Sequence, residues 1–314
     1  MKELIVFTHN DLDALGCMLN IEFKTPNVPK KYFHTNYANI NEVVTEIEQF
    51  LHENQCTHIL IADVSFSNNK QALQKLYSCT KITLIDHHLY PDGFWNDFPD
   101  MKVVHDKTKS ATKLCNEFFR NTGANPGLDK LTHIIDVYDI WQTSEPHFDV
   151  SQDLNEYFWA SINYGELLPL VNRIVSNGFK LPGDFTQVTS GIRAKRSSDI
   201  QSYEDRQLIH RAGDVTVCFV NEWFNHILIN EMRQGKNFVI GVTPKGIIRV
   251  RIREESPYNS SQKNALRMHL TGTEDTGHMN AFTYKPRGEI SFDALVNEVK
   301  RITGAIDAIM KNNH

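Results

Sequence analysis

The residues best suited to chemistry come early in the chain: His9, Asp11 and Asp13, then Asp63, then Asp86, His87 and His88. Carboxylates gathered in one place repel one another and raise each other's pKa unless a cation compensates them. A mixed carboxylate and imidazole set without thiolates suits Mn²⁺, with Mg²⁺ or Fe²⁺ as alternatives, better than a structural zinc site. There are enough ligands for two ions, and Asp63 could bridge them at the ~3.5–4 Å typical of two-metal hydrolases. Such a pair stabilises the attacking and leaving oxygens of an in-line phosphoryl displacement.

The elements that must position these residues follow from the apolar runs before them. Leu4-Ile5-Val6-Phe7 leads to His9, His58-Ile59-Leu60-Ile61-Ala62 to Asp63, and Ile82-Thr83-Leu84-Ile85 to Asp86. Short continuous apolar runs fit strands buried on both faces of a parallel sheet. Helical patterns lie between them at Asn41 to Glu53 and Asn68 to Tyr77. A further strand is expected at Met101 to His105, with helices at Ser110 to Arg120 and Leu128 to Trp141. This alternation predicts an α/β fold, a doubly wound parallel sheet whose carboxyl edge gathers the three segments.

At these residues the chain resembles the DHH phosphoesterases, a superfamily that includes RecJ-type exonucleases, nanoRNases, cyclic-di-AMP phosphodiesterases and class II pyrophosphatases. The resemblance rests on Asp86-His87-His88 after an apolar strand, preceded by His9-x-Asp11-x-Asp13 and by Asp63. It implies that His9, Asp11 and Asp63 hold one metal, and that Asp13, Asp63, His87 and a fourth-motif Asp hold the other. It further implies that His88 contacts the scissile phosphate and that Asp86 orients the histidines. The fourth motif resembles the stretch Asp136-Val137-Tyr138-Asp139-Ile140-Trp141, with Asp139 the first choice and Asp136 the second. On a helix both would share a face.

The expected organisation is a catalytic domain over 1–142, a helical connector without strands over 143–213, and a smaller α/β domain over 214–314. In the last, strands are expected at Val215 to Val220, Phe238 to Val242 and Ile247 to Arg253, and helices at Trp223 to Arg233 and Phe292 to Met310. Asp275 to Phe282 looks like a degenerate G-G-H-x-x-A-G motif of the DHH-associated domain, which implies substrate contacts from Gly277, His278 and Asn280. Thr276 and Phe282 replace its outer glycines. Period-two alternation puts Arg249, Arg251 and Arg253 on one strand face, about 6.6–6.8 Å apart, close to the spacing of successive phosphates. Arg253 aligns best with the family's substrate-binding arginine.

A net charge of −5 argues against a protein that coats long duplex, but not against a short strand held by local arginines. Arg193, Lys195, Arg196, Arg206 and Arg211 read as a solvated helix face, and Trp141 and Trp159 as packing residues. Five scattered cysteines read as reduced thiols, mostly in the core. No segment approaches the ~18 apolar residues of a membrane span, so a cytoplasmic protein is expected, with a homodimer possible. The leading expectation is a metal-dependent phosphodiesterase or exonuclease acting on short single-stranded RNA or DNA. A small-molecule phosphatase or cyclic-dinucleotide phosphodiesterase is the alternative enzyme, and a non-catalytic nucleotide-binding protein the alternative of another class.

Overall fold

The computed structural model describes residues 3–36, 38–54, 58–162, 167–220, 229, 231–232, 235–253, 256–271, 277–278, 281–286 and 291–311. The chain forms two compact units. One comprises Met1–Ile140 with Pro146–Thr189, the other Trp141–Glu145 with Ser190–His314.

The first unit is a doubly wound α/β sheet. Its strands β1 (Leu4–Thr8), β2 (Lys30–His34), β3 (His58–Ala62), β4 (Lys81–Asp86) and β5 (Lys102–His105) lie in the order β2-β1-β3-β4-β5. All four pairings are parallel. Alternate side chains enter opposite layers, as a period of two requires. Ile5, Phe7, Ile59, Ile61 and Leu84 pack with helices α2 (Ile40–Glu53) and α3 (Lys70–Cys79). Val6, Leu60, Ala62 and Ile85 pack with α1 (Leu12–Lys24) and α4 (Ala111–Phe118). The outer side of α1, through Leu12, Leu15 and Leu19, is covered by α5 (Pro126–Asp139), α6 (Phe148–Ser161) and α7 (Leu167–Ser176).

Helices α1 and α4 meet at Gly16, where a Cβ would lie 2.0 Å from Thr112 Oγ1, so only glycine permits this approach. Strand order reverses between β1 and β3, and at such a switch point the carboxyl ends of the strands leave a crevice for ligands.

Helix α8 (Phe185–Asp205) leads into the second unit, a mixed sheet of β6 (Ile209–Ala212), β7 (Val215–Phe219), β8 (Phe238–Val242), β9 (Ile248–Ile252), β10 (Gly277–His278) and β11 (Ala281–Tyr284). Its order is β10-β11-β9-β8-β7-β6, with only β7 and β8 parallel. One face, including Ile240, Val250 and Ile252, packs under α9 (Ser260–Thr271) and α10 (Phe292–Lys311).

Several expectations are corrected. Strand β2 went unread because Lys30 and Lys31 disguise it; as an edge strand it has one neighbour and tolerates charge. The segment expected to be a strandless connector ends in β6, again an edge strand. Arg196 is buried and ion-paired to Glu231 at 2.9 Å, and Arg211 is paired to Glu204 at 2.6 Å, so neither belongs to a solvated face. Trp141 is buried as expected, whereas Trp159 is 51% exposed. Of the cysteines, Cys17, Cys115 and Cys218 are buried and Cys79 is exposed; Cys56 lies outside the described residues. Most of the helix expected at Trp223 to Arg233 lies outside them too. Among the described residues, no helix is long and apolar enough to cross a membrane.

Candidate metal centre

The carboxyl ends of β1, β3 and β4 deliver the predicted residues to one place. Just past β1, Asp11 caps helix α1, its Oδ1 accepting from the Ala14 amide at 3.1 Å. Its other oxygen lies 2.8 Å from His9 Nδ1. Asp13 occupies the first turn of α1, 2% exposed. Just past β3, Asp63 takes a left-handed backbone (φ 59°), which is costly for a residue with a Cβ and characteristic of functional sites. Asp86 ends β4, and His87 and His88 follow it.

At this edge, three groups of side chains bring ligand atoms within 4.8 Å of one another: His9, Asp11 and Asp63; Asp13, His87 and Asp139; and Asp63, Asp86, His87 and His88. Asp63 and His87 each belong to two of them. His87 sits at the centre, its Nε2 3.6 Å from Asp63 Oδ1 and 3.8 Å from Asp13 Oδ2, its Nδ1 3.5 Å from Asp139 Oδ2.

The two fourth-motif carboxylates differ in their surroundings. Both lie near the end of α5. Asp139 is the one beside His87, whereas Asp136 Oδ1 accepts from the Ser110 amide at 2.8 Å, just before α4. Asp13 does both kinds of work. Its two oxygens accept from the Ala111 and Thr112 amides, each at 2.8 Å, so it caps α4 while facing His87. Sequence reasoning missed this capping because its partners are about a hundred positions away and are backbone amides, which carry no residue-type signal.

Electrostatics separate the carboxylates into two sets. Burial pushes Asp63 well above the ordinary carboxylate range, and repulsion from Asp11, Asp13, Asp139 and Asp86 adds to it. Burial also raises Asp139, reinforced by Asp13 and Asp11, and raises Asp13 despite the nearby His87. Asp11 goes the other way: burial alone would raise it, but the His9 ring and the Ala14 amide outweigh that and hold it low. Asp86 is likewise held low against burial by His88, His87 and the Tyr90 hydroxyl. Asp63 Oδ2 and Asp139 Oδ2 are buried without a hydrogen-bond partner among the described residues. Buried carboxylates that raise one another's pKa in this way are costly unless a cation joins them. The donor set therefore fits divalent metal.

In the second unit, Arg251 is 3% exposed. Its guanidinium donates to the Val250 and Phe282 carbonyls at 2.7 and 3.3 Å and stands 5.9 Å from the Trp141 ring centroid. Arg249 and Arg253, on the same strand face, are half-buried, and burial lowers the pKa of Arg249. The backbone of Gly277 and His278 pairs with β11; Asn280 lies outside the described residues.

No protein-family model and no curated protein matches the chain. Solved structures do resemble it. An exopolyphosphatase-related protein from Bacteroides fragilis superposes with a TM-score of 0.59 at 12% identity, over 99% of this chain and 94% of its own. A pGpG-specific phosphodiesterase from Vibrio cholerae also gives 0.59, at 16% identity over 97% and 99%. RecJ in complex with Mn²⁺ from Thermus thermophilus gives 0.58 at 14% identity; the match covers 97% of this chain but 52% of RecJ.

Proposed function

We propose that this chain, which has the fold of the DHH phosphoesterases, is a Mn²⁺-dependent phosphodiesterase that hydrolyses short single-stranded oligonucleotides to mononucleotides. The observation that carries the proposal is the convergence of Asp13, Asp63 and Asp139 on His87, with buried oxygens on Asp63 and Asp139 that accept no hydrogen bond among the described residues. In this reading His9, Asp11 and Asp63 hold one ion, and Asp13, Asp63, His87 and Asp139 the other. Two divalent ions held there would supply Lewis-acid charge to an in-line phosphoryl displacement.

The chain's own residues do the rest. The Asp86 carboxylate, 2.7 Å from His88 Nδ1, fixes the orientation of that ring, and His88 in its imidazolium form donates from Nε2 to a phosphate oxygen as charge develops on it. Arg249 and Arg253, with Gly277, His278 and Asn280, bind the phosphates and base of the substrate. Arg251 braces their strand through the Val250 and Phe282 carbonyls. The net charge of −5 favours short substrates, because few phosphates need neutralising. The full-length likeness to a phosphodiesterase whose substrate is the dinucleotide pGpG supports the same size class.

Incubating the protein with Mn²⁺ and a dinucleotide, a long single strand, cyclic-di-AMP and phosphoadenosine phosphate tests the proposal. Fastest release of mononucleotides from the dinucleotide is the expected result, with activity lost on chelation. Preference for phosphoadenosine phosphate would move the assignment to a small-molecule phosphatase. Cleavage of none of them would overturn the hydrolase reading.

A further inference from the structure

Tyr90 follows His88 by two residues, and its hydroxyl lies against the carboxylate that orients His88. Asp86 is fully buried, and its two oxygens have different partners. Oδ1 accepts from the His87 amide at 2.8 Å, from His88 Nδ1 at 2.7 Å and, at the longer 3.4 Å, from the His88 amide. Oδ2 accepts from the Tyr90 hydroxyl at 2.5 Å. A phenol has one proton, and a carboxylate at that distance takes it in preference to the Val64 carbonyl at 3.3 Å. The phenol oxygen in turn accepts from the Phe66 amide at 3.3 Å. Val64 and Phe66 follow Asp63 closely in the chain, so one side chain ties the loop that carries the shared ligand to the segment that carries His87 and His88.

The ring itself is clamped. Its centroid lies 4.4 Å from that of Trp95, 4.8 Å from Phe94 and 5.5 Å from His105. His105 Nε2 donates to the His88 carbonyl at 2.6 Å, which secures the main chain of the same residue from β5. Asp86 is thus held at both oxygens, and rotation of its carboxylate away from His88 would break the contact with Tyr90.

We propose that Tyr90 is a positioning residue: by holding Asp86 Oδ2 it keeps His88 Nδ1–H bonded to Oδ1, which makes Nδ1–H the tautomer of the neutral ring, and it aims Nε2, the nitrogen that carries the second proton of the imidazolium, away from Asp86, toward the reacting phosphate. The proposal rests on the reading of His88 as the phosphate contact. A group aligned in this way contributes in the transition state more than in substrate binding, so its misalignment acts on kcat rather than KM.

Tyr90→Phe keeps the ring and removes only the hydroxyl. It lowers kcat about tenfold, a typical cost of losing an outer partner, with KM and the Mn²⁺ concentration for half-activation within about twofold of wild type. In a His88→Ala background the same substitution changes kcat by less than about twofold, because the residue it acts through is gone. A readout independent of activity accompanies this: in metal-free protein carrying ¹⁵N-histidine, NMR finds His88 as a single Nδ1–H tautomer in wild type and as a mixture in Tyr90→Phe. Equal losses in both backgrounds, an unchanged tautomer, or a Tyr90→Phe protein that does not fold would each overturn the proposal. If wild type hydrolyses nothing, the proposed function falls and the tautomer comparison still decides the role of Tyr90.

Discussion

Asp63→Asn is expected to lower kcat at least about 10³-fold, roughly 4 kcal/mol of transition-state stabilisation, while making the metal-free protein more stable. Asparagine has nearly the same shape but cannot offer two anionic oxygens to two ions, and Asp63, like His87, belongs to two of the side-chain groups. The gain in stability comes from the same physics. Burial and four neighbouring carboxylates raise the Asp63 pKa well above its usual value. A raised acid holds its proton in the folded state at a pH where the unfolded chain has released it. Folding stability from Asp63, Asp139 and Asp13 therefore falls as pH rises from about 4, the unfolded carboxylate value, toward the raised folded values. Asp11 and Asp86 have the opposite sign: held low, they contribute stability above about pH 4 that is lost as pH falls through the carboxylate range. Thermal unfolding of metal-free protein at mildly acidic and mildly alkaline pH measures the difference. The melting point of Asp63→Asn should exceed wild type by about 2–4 °C for each kcal/mol relieved, with the larger gap on the alkaline side. A variant that is less stable and equally pH-sensitive would contradict the electrostatic account.

The second large effect distinguishes two carboxylates three residues apart. Asp139→Asn should raise the Mn²⁺ concentration for half-activation by roughly 10- to 100-fold, because Asp139 lies 3.5 Å from His87. Asp136→Asn should leave it within about threefold, since an amide oxygen can still accept from the Ser110 amide that Asp136 now holds. Asp136→Ala removes that acceptor next to the start of α4 and should cost about 1–2 kcal/mol of stability, the range for a lost helix cap. A metal defect larger in Asp136→Asn than in Asp139→Asn would reverse the assignment.

These two residues also mark the limit of what the sequence discloses. Spacing of three on a helix places both on one face, yet Asp139 is the one beside His87, while Asp136 is taken up by the amide of Ser110, distant along the chain. By contrast, the positions of His9, Asp63 and Asp86 were readable, because unbroken apolar runs of this length fit strands buried on both faces, and polar residues at their ends must sit on the sheet edge. Strand β2 lacked that signature, being a lysine-bearing edge. Alternation correctly grouped Arg249, Arg251 and Arg253, but the burial of Arg251 depends on Trp141 and on the Phe282 carbonyl, which no local pattern predicts. The role of Tyr90 was equally hidden: an aromatic four residues after Asp86 has no meaning until the loop after Asp63 folds against it.

The central claim is a pair of divalent ions joined by one carboxylate. Titrating metal-free protein with Mn²⁺ while following its EPR spectrum counts the ions and detects whether they are coupled. The account predicts two ions per chain with an exchange-coupled signal in wild type, and loss of the coupling in Asp63→Asn. A single isolated ion in wild type, or no binding at millimolar Mn²⁺, would contradict it.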